Sequence, residues 1–217
     1  MSESTTIEAP PPRLATTRVT VEDDATPVAR LVARTLRDAV AGDGRLPLAG
    51  LLGSVVVRSH DTPQVATVTV AGDVVEVAGG VLVETDTVVT VDLDARFAAT
   101  AEPTGDAELA TALLSALRPP LPHWRDAAAR FWGATRHIPG IPDVLVVEAT
   151  GPDGAEHDRF GDGTTTYGIS GPADLLAGVF SGADDLLVSL AAGVRIQGTL
   201  AQLSVMTAAS WKVRFDV

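Results

Sequence analysis

The sequence predicts an α+β fold in which antiparallel sheets are covered by helices. Three observations carry that expectation. Runs rich in Val and Thr follow one another between residues 48 and 93, a Gly72-Asp73 dipeptide separates two of them at hairpin spacing, and the period then turns helical from residue 106. The same change of period recurs further along the chain. With 217 residues, 46% of them hydrophobic, and a mean hydropathy of +0.23, the chain has enough apolar material for one larger domain or two small ones.

Residues 1–20 contain Pro10-Pro11-Pro12 among Ser, Thr and acids, too little apolar surface to offset the entropy of ordering, and are expected to be a disordered tail. Thr26-Pro27 then gives a cap followed by proline at the first helical position. Val28, Leu31, Val32, Thr35, Leu36, Ala39 and Val40 keep one helical face until Gly42 and Gly44. Leu48 to Arg58, Gln64 to Ala71, Val74 to Val77 and Val81 to Leu93 form the strand candidates, bounded by Asp61-Thr62-Pro63, Gly72-Asp73 and Gly79-Gly80. These spacings predict an antiparallel meander of three or four strands.

Asp106 caps the next helix, with Leu109, Leu113, Leu114 and Leu117 on its face, and Pro119-Pro120-Leu121-Pro122 stops it. A second helical run from His123 to Trp132 places Trp124, Ala128, Phe131 and Trp132 together. Strands follow at Val144 to Ala149 and within His157 to Ile169, around the turns Gly151-Pro152-Asp153-Gly154 and Gly161-Asp162-Gly163. The two halves, taken as 21–121 and 122–217, share an order of helix, strand, turn, strand, Gly-rich turn and strand. Two arrangements fit that order: a tandem of similar units with the first degenerate, or one mixed domain with an enlarged sheet.

The last part of the chain is the most sharply punctuated. Pro172 and Asp174 open a short helix bearing Leu175, Leu176, Val179 and Phe180, which Gly182 ends. Asp184 and Asp185 open another, with Leu186, Leu187 and Leu190 before Gly193. Val194 and Ile196 make a short strand, Gly198 follows, and Thr199 caps a helix with Leu200, Leu203, Val205 and Met206. Trp211, Val213 and Phe215 alternate with Lys212 and Arg214, a period of two that predicts a terminal strand.

Between Asp143 and Met206 these features resemble the sterol carrier protein 2 (SCP2-like) family. The resemblance rests on a helix, two glycines flanking ten residues (Gly182 and Gly193), the strand VRIQG and the Leu-rich helix TLAQLSVM, with Thr199 where the family commonly has Asp. It implies a helix pair and a final helix that line a lipid tunnel against a sheet. The expected ligand-binding side chains are therefore Leu175, Leu176, Val179 and Phe180, then Leu186, Leu187 and Leu190, and beyond them Ile196, Leu200, Leu203 and Met206. Trp124 and Phe131 are candidates for the floor of the cavity. The same side chains equally suit a core that they fill themselves.

Chemistry beyond burial is sparse. The chain has no cysteine, which excludes disulfides and thiolate sites, and its four histidines lack the spacing of a helical metal pair. Asp153, Glu156, His157, Asp158 and Asp162 cluster around a hairpin tip, where turns recruit such residues anyway. No glycine-rich stretch matches a phosphate loop, and no G-x-S-x-G is present. A formal charge of −12 disfavours nucleic acid and anionic membrane surfaces. No apolar run reaches membrane-span length, so a cytoplasmic protein without stable membrane insertion is expected.

The function expected is non-catalytic binding or carriage of a sterol, fatty acyl chain or other lipid, with no cofactor and no metal. Burying an acyl chain contributes roughly 0.8 kcal/mol per CH₂, so such a site needs no reactive group. Alternatives are a structural or protein-interaction module with a filled core, and an accessory subunit of a lipid-metabolising enzyme. Val-rich edge strands also admit a homodimer.

Overall fold

The computed structural model describes residues 17–43, 46–81 and 84–216, and shows an α+β fold of two helix-covered sheets. The chain opens with strand β1 (Arg18–Val21) and helix α1 (Pro27–Asp43), which begins at the expected proline. β1 takes in three residues of the segment read as tail, because Arg18 N–H donates to the Asp73 carbonyl and the strand aligns parallel to β4. Residues 1–16 and Gly44 lie outside the described residues.

Strands β2 (Leu52–Ser59), β3 (Val65–Ala71) and β4 (Val74–Gly79) form the antiparallel meander, with Gly72 at φ 67 in the turn. The next strand departs from the meander. β5 (Thr87–Asp92) returns to the far side of β2 and pairs with it in parallel, so the sheet is mixed. The returning segment is tied to the face opposite α1: Thr67 Oγ1 donates to the Gly80 carbonyl at 2.6 Å, and Ser54 N–H donates to Asp86 Oδ2 at 2.8 Å. That cover explains why β2 is buried at four successive residues, Ser54 to Val57, where a meander with one wet face would alternate. Leu82 and Val83, part of the expected strand, lie outside the described residues. Short strands β6 (Ala98–Ala99) and β7 (Thr104–Gly105) close the edge of β5.

Helix α2 (Ala107–Ala116) starts where Asp106 accepts from the N–H groups of Glu108 and Leu109. With α1 it buries Leu31, Val32, Leu36, Leu109 and Leu113 against Val55, Val57, Val68 and Val89 to make the first core. Helix α3 (Trp124–Thr135) begins the second half, with the His123 imidazole accepting from Arg125 N–H.

Strands β8 (Val144–Gly151) and β9 (Gly154–Phe160) are antiparallel, whereas β10 (Thr166–Pro172) crosses to the other side of β8 and pairs with it in parallel. The crossover is short and anchored by Asp143, whose Oδ2 accepts from Thr164 N, Thr165 N and Thr165 Oγ1. Gly161 is required there: its φ is 87, and a Cβ would collide with the Asp143 carbonyl and the Trp132 ring. Helices α4 (Ala173–Ser181) and α5 (Leu186–Ala191) follow, then β11 (Arg195–Gln197), antiparallel to β10, and helix α6 (Leu200–Phe215).

The two sheets share a pairing pattern. β3-β2-β5-β6 in the first and β9-β8-β10-β11 in the second both run antiparallel, parallel, antiparallel. Helix also replaces the strand expected at the C-terminus. Thr199 and Gln202 form a reciprocal capping box, Met206, Ala209, Ser210 and Val213 keep a helical face inward, and Lys212 pairs with Asp216 at 2.6 Å. Phe215, at its far end, packs on the first core while Leu203, Met206 and Ala209 belong to the second, so α6 joins both. Among the described residues no helix is long and apolar enough to cross a membrane.

Candidate functional site

The side chains expected to line a lipid cavity converge, but on one another. Leu176, Val179, Phe180, Leu186, Met206, Trp124 and Phe131 are buried in the second core, and Leu175, Leu190, Ile196 and Leu203 pack at its margin. The Phe131 and Phe180 rings lie 5.3 Å apart. Two expectations are corrected. Leu187 is 45% exposed and Leu200 85% exposed. Leu187 sits in the first turn of α5, where the Asp185 cap orients Leu186 inward instead. Leu200 is the first residue of α6, which leaves the edge strand β11 before it reaches the core.

Tyr167, on β10, is fully buried in this core, and its hydroxyl has no hydrogen-bond partner among the described residues. Burial pushes the phenol up to about 12. Its ring lies where a side chain on residue 198 would project, with Cδ2 2.8 Å from an ideal Cβ there. That contact is the reason the strand VRIQG ends in glycine.

The acids at the hairpin tip have a structural use that spacing alone did not reveal. Arg125 of α3 pairs with Asp158 at 2.8 Å and Glu156 at 3.3 Å, and stacks 4.7 Å from the Trp124 ring. Among the described residues no group of three or more His, Asp or Glu is placed to hold a metal ion.

A hollow of about 270 Å³ lies instead at the seam between the halves. Val28 and Leu31 of α1 and Trp211 and Phe215 of α6 supply its apolar surface. Its charged side comes from Asp61 in the β2–β3 turn, Asp92 at the end of β5, Asp94 just after it, and Asp185 at the start of α5, with Arg214 among them. Trp211 is 46% exposed, yet fixed, because its indole N–H donates to Asp185 Oδ2 at 2.8 Å. A wider hollow of about 520 Å³ between β6 and α2 is lined by Phe97, Leu114 and Arg118 among others.

Arginines hold the seam in shape. Arg214, almost fully buried, donates from Nη1 to the Ala183 carbonyl at 2.7 Å and the Gly182 carbonyl at 3.3 Å, and from Nη2 to the Leu93 carbonyl at 3.2 Å and Asp94 at 3.4 Å. Burial lowers its guanidinium from the ordinary value, which nearby Asp94, Asp185 and Asp184 oppose. Arg34 of α1 donates to the Ser181 carbonyl and pairs with Asp38 at 3.2 Å. Arg96 meets Asp184 in a two-pronged pair, with Nε to Oδ1 at 2.6 Å and Nη2 to Oδ2. Arg96 and Phe97 hold positive φ angles of 51 and 57, a costly conformation that aims one side chain across the seam and buries the other.

The carboxylates of the hollow repel one another. Burial raises the Asp94 carboxyl above the ordinary value, Arg214 pulls it down, and Asp185, Asp92 and Asp61 push it up again. Comparison with models of protein families, with characterised proteins and with solved structures finds no match to this chain.

Proposed function

We propose that the chain is a non-catalytic binding protein for a small molecule with an apolar part, and that the ligand occupies the seam hollow instead of the second core. The observation that carries this reading is Trp211. An indole pinned at 46% exposure beside Val28, Leu31 and Phe215 is a prepared contact surface, whereas the aromatic side chains of the second core are already packed. The volume, about 270 Å³, falls just below the range of roughly 300–1,000 Å³ usual for drug-sized ligands. A compact molecule fits it, or one end of a longer lipid. The pairing order common to the two sheets supports the reading of the chain as a tandem of similar units.

The polar residues of the hollow favour binding over catalysis. Asp185 caps α5, Asp92 caps the turn after β5, and Asp61 accepts from Ser59 Oγ at 2.7 Å. The test is fluorescence titration with small aromatic and acyl probes, backed by native mass spectrometry of the intact protein. A saturable change that vanishes in Trp211→Phe is expected, since Trp124 and Trp132 are buried in the other core. Saturable binding that leaves Trp211 unperturbed would place the ligand elsewhere.

A second reading, an interaction module, is favoured by exposed Leu187 and Leu200 in the family-like half. Light scattering across a concentration range tests it. A mass that rises with concentration and returns to monomer in Leu187→Ser with Leu200→Ser supports association through that surface.

A further inference from the structure

We infer that the ligand of the seam hollow is an organic cation: a protonated amine or quaternary ammonium group joined to a compact apolar or aromatic body. This rests on the binding function proposed above and narrows its chemistry. The site itself is defined by the hollow and by its held indole; the carboxylates, each a cap or turn residue, decide only which charge it accepts.

Four carboxylates, Asp61, Asp92, Asp94 and Asp185, border the hollow, against the single guanidinium of Arg214. That guanidinium is spent on the Gly182, Ala183 and Leu93 carbonyls and Asp94, and is almost fully buried, so it offers little to a ligand anion. The carboxylates are differently placed. Asp61 and Asp92 each use Oδ1 for a protein hydrogen bond, and Asp94 uses its Oδ1 for Arg214, leaving each with a second oxygen that takes no donor from the described residues. These residues line the same hollow as the half-exposed Trp211 indole, and a cation over an indole face gains from the ring quadrupole as well as from the acids. A fatty-acid carboxylate meets the opposite situation, with repulsion from four acids and no free cation among the described lining residues.

A bare divalent metal ion is not the better occupant, since no trio of the described acids and histidines converges closely enough to coordinate one. An ammonium group accepts looser geometry, because its charge is spread over several donors or methyl groups. The net charge of −12 adds a long-range attraction of the same sign.

The test compares three probes of one shape at neutral pH: phenylethylamine, phenylethanol and phenylacetate, titrated into the full chain by calorimetry and Trp211 fluorescence. The amine is expected to bind about tenfold tighter than the alcohol, and phenylacetate more weakly than either. Raising the salt concentration narrows the gap between amine and alcohol, because exposed charges are screened. Asp61→Asn with Asp92→Asn, which keeps both accepting oxygens, narrows it too. If amine and alcohol bind alike at low salt, the cationic preference is wrong while the binding function stands. If none of the three binds, the hollow is not a ligand site, and both conclusions fall. The salt series on the unmodified protein decides the matter even should the double variant fold poorly.

Discussion

Tyr167 is the protein's one tyrosine, so its phenolate absorbance reports on the second core alone. Burial holds the group at about 12 against an ordinary value of 10.0. A folded-state value raised in this way contributes stability that is complete below the ordinary value and is lost as pH rises through about 12. A rise of that size is worth on the order of 2 kcal/mol. Urea unfolding is therefore expected to weaken across that alkaline window, and Tyr167→Phe to abolish the Tyr-linked part of the decline. At neutral pH the same variant should lie within about 1 kcal/mol of the parent, since it removes a buried hydroxyl that has no partner. A phenol that titrates at its ordinary value in the folded protein would contradict the burial. Much at this scale was legible in the sequence: Asp106, Asp185 and Thr199 cap the helices that their positions predict. The arginines were not. Arg214 reaches a carbonyl 121 residues away, and local spacing carries no trace of such a partner.

Among elements, the glycines that end α4 and α5 show where local signals stop. Gly182 and Gly193 both predict a helix stop, and both adopt positive φ, 77 and 119. Only the first is crowded: a Cβ on Gly182 would lie 2.8 Å from Arg214 Cα, while Gly193 has open space. Gly182→Ala is thus expected to cost about 3 kcal/mol or more and Gly193→Ala about 1–2 kcal/mol, measured by urea unfolding. Equal costs would mean that α6 does not pack against the end of α4. The terminal strand failed for a related reason. Trp211, Val213 and Phe215 alternate, but Met206, Ala209, Ser210 and Val213 also fall on a helical face, and five residues satisfy either period. The capping box and the length of helix already formed settle the competition. The parallel placements of β5 and β10 were illegible too, because hydrophobic alternation fixes which face a strand buries and leaves its neighbour open.

For the whole molecule, two cores are joined by a polar seam, and that seam decides whether they unfold together. Arg96 with Asp184, Arg34 with Ser181 and Arg214 with Leu93 all cross it. The chain is expected to show one urea transition, followed alike by the fluorescence of a Trp211→Phe background, whose Trp124 and Trp132 report on the second core, and by amide exchange in β2 and β3, which follows the first. Arg96→Ala with Arg214→Met should lower stability by about 3–5 kcal/mol and separate the two probes. Coincident transitions in that variant would show that apolar contact alone couples the cores. The sequence indicated two similar halves and an apolar C-terminal stretch, but nothing in linear order shows that α6 lies across both cores. That placement also bears on synthesis. A chain emerging at ~5–20 residues per second exposes β1 to α2 well before α6 exists. The first core can then form several seconds before Phe215, which packs on it in the finished fold, has been made.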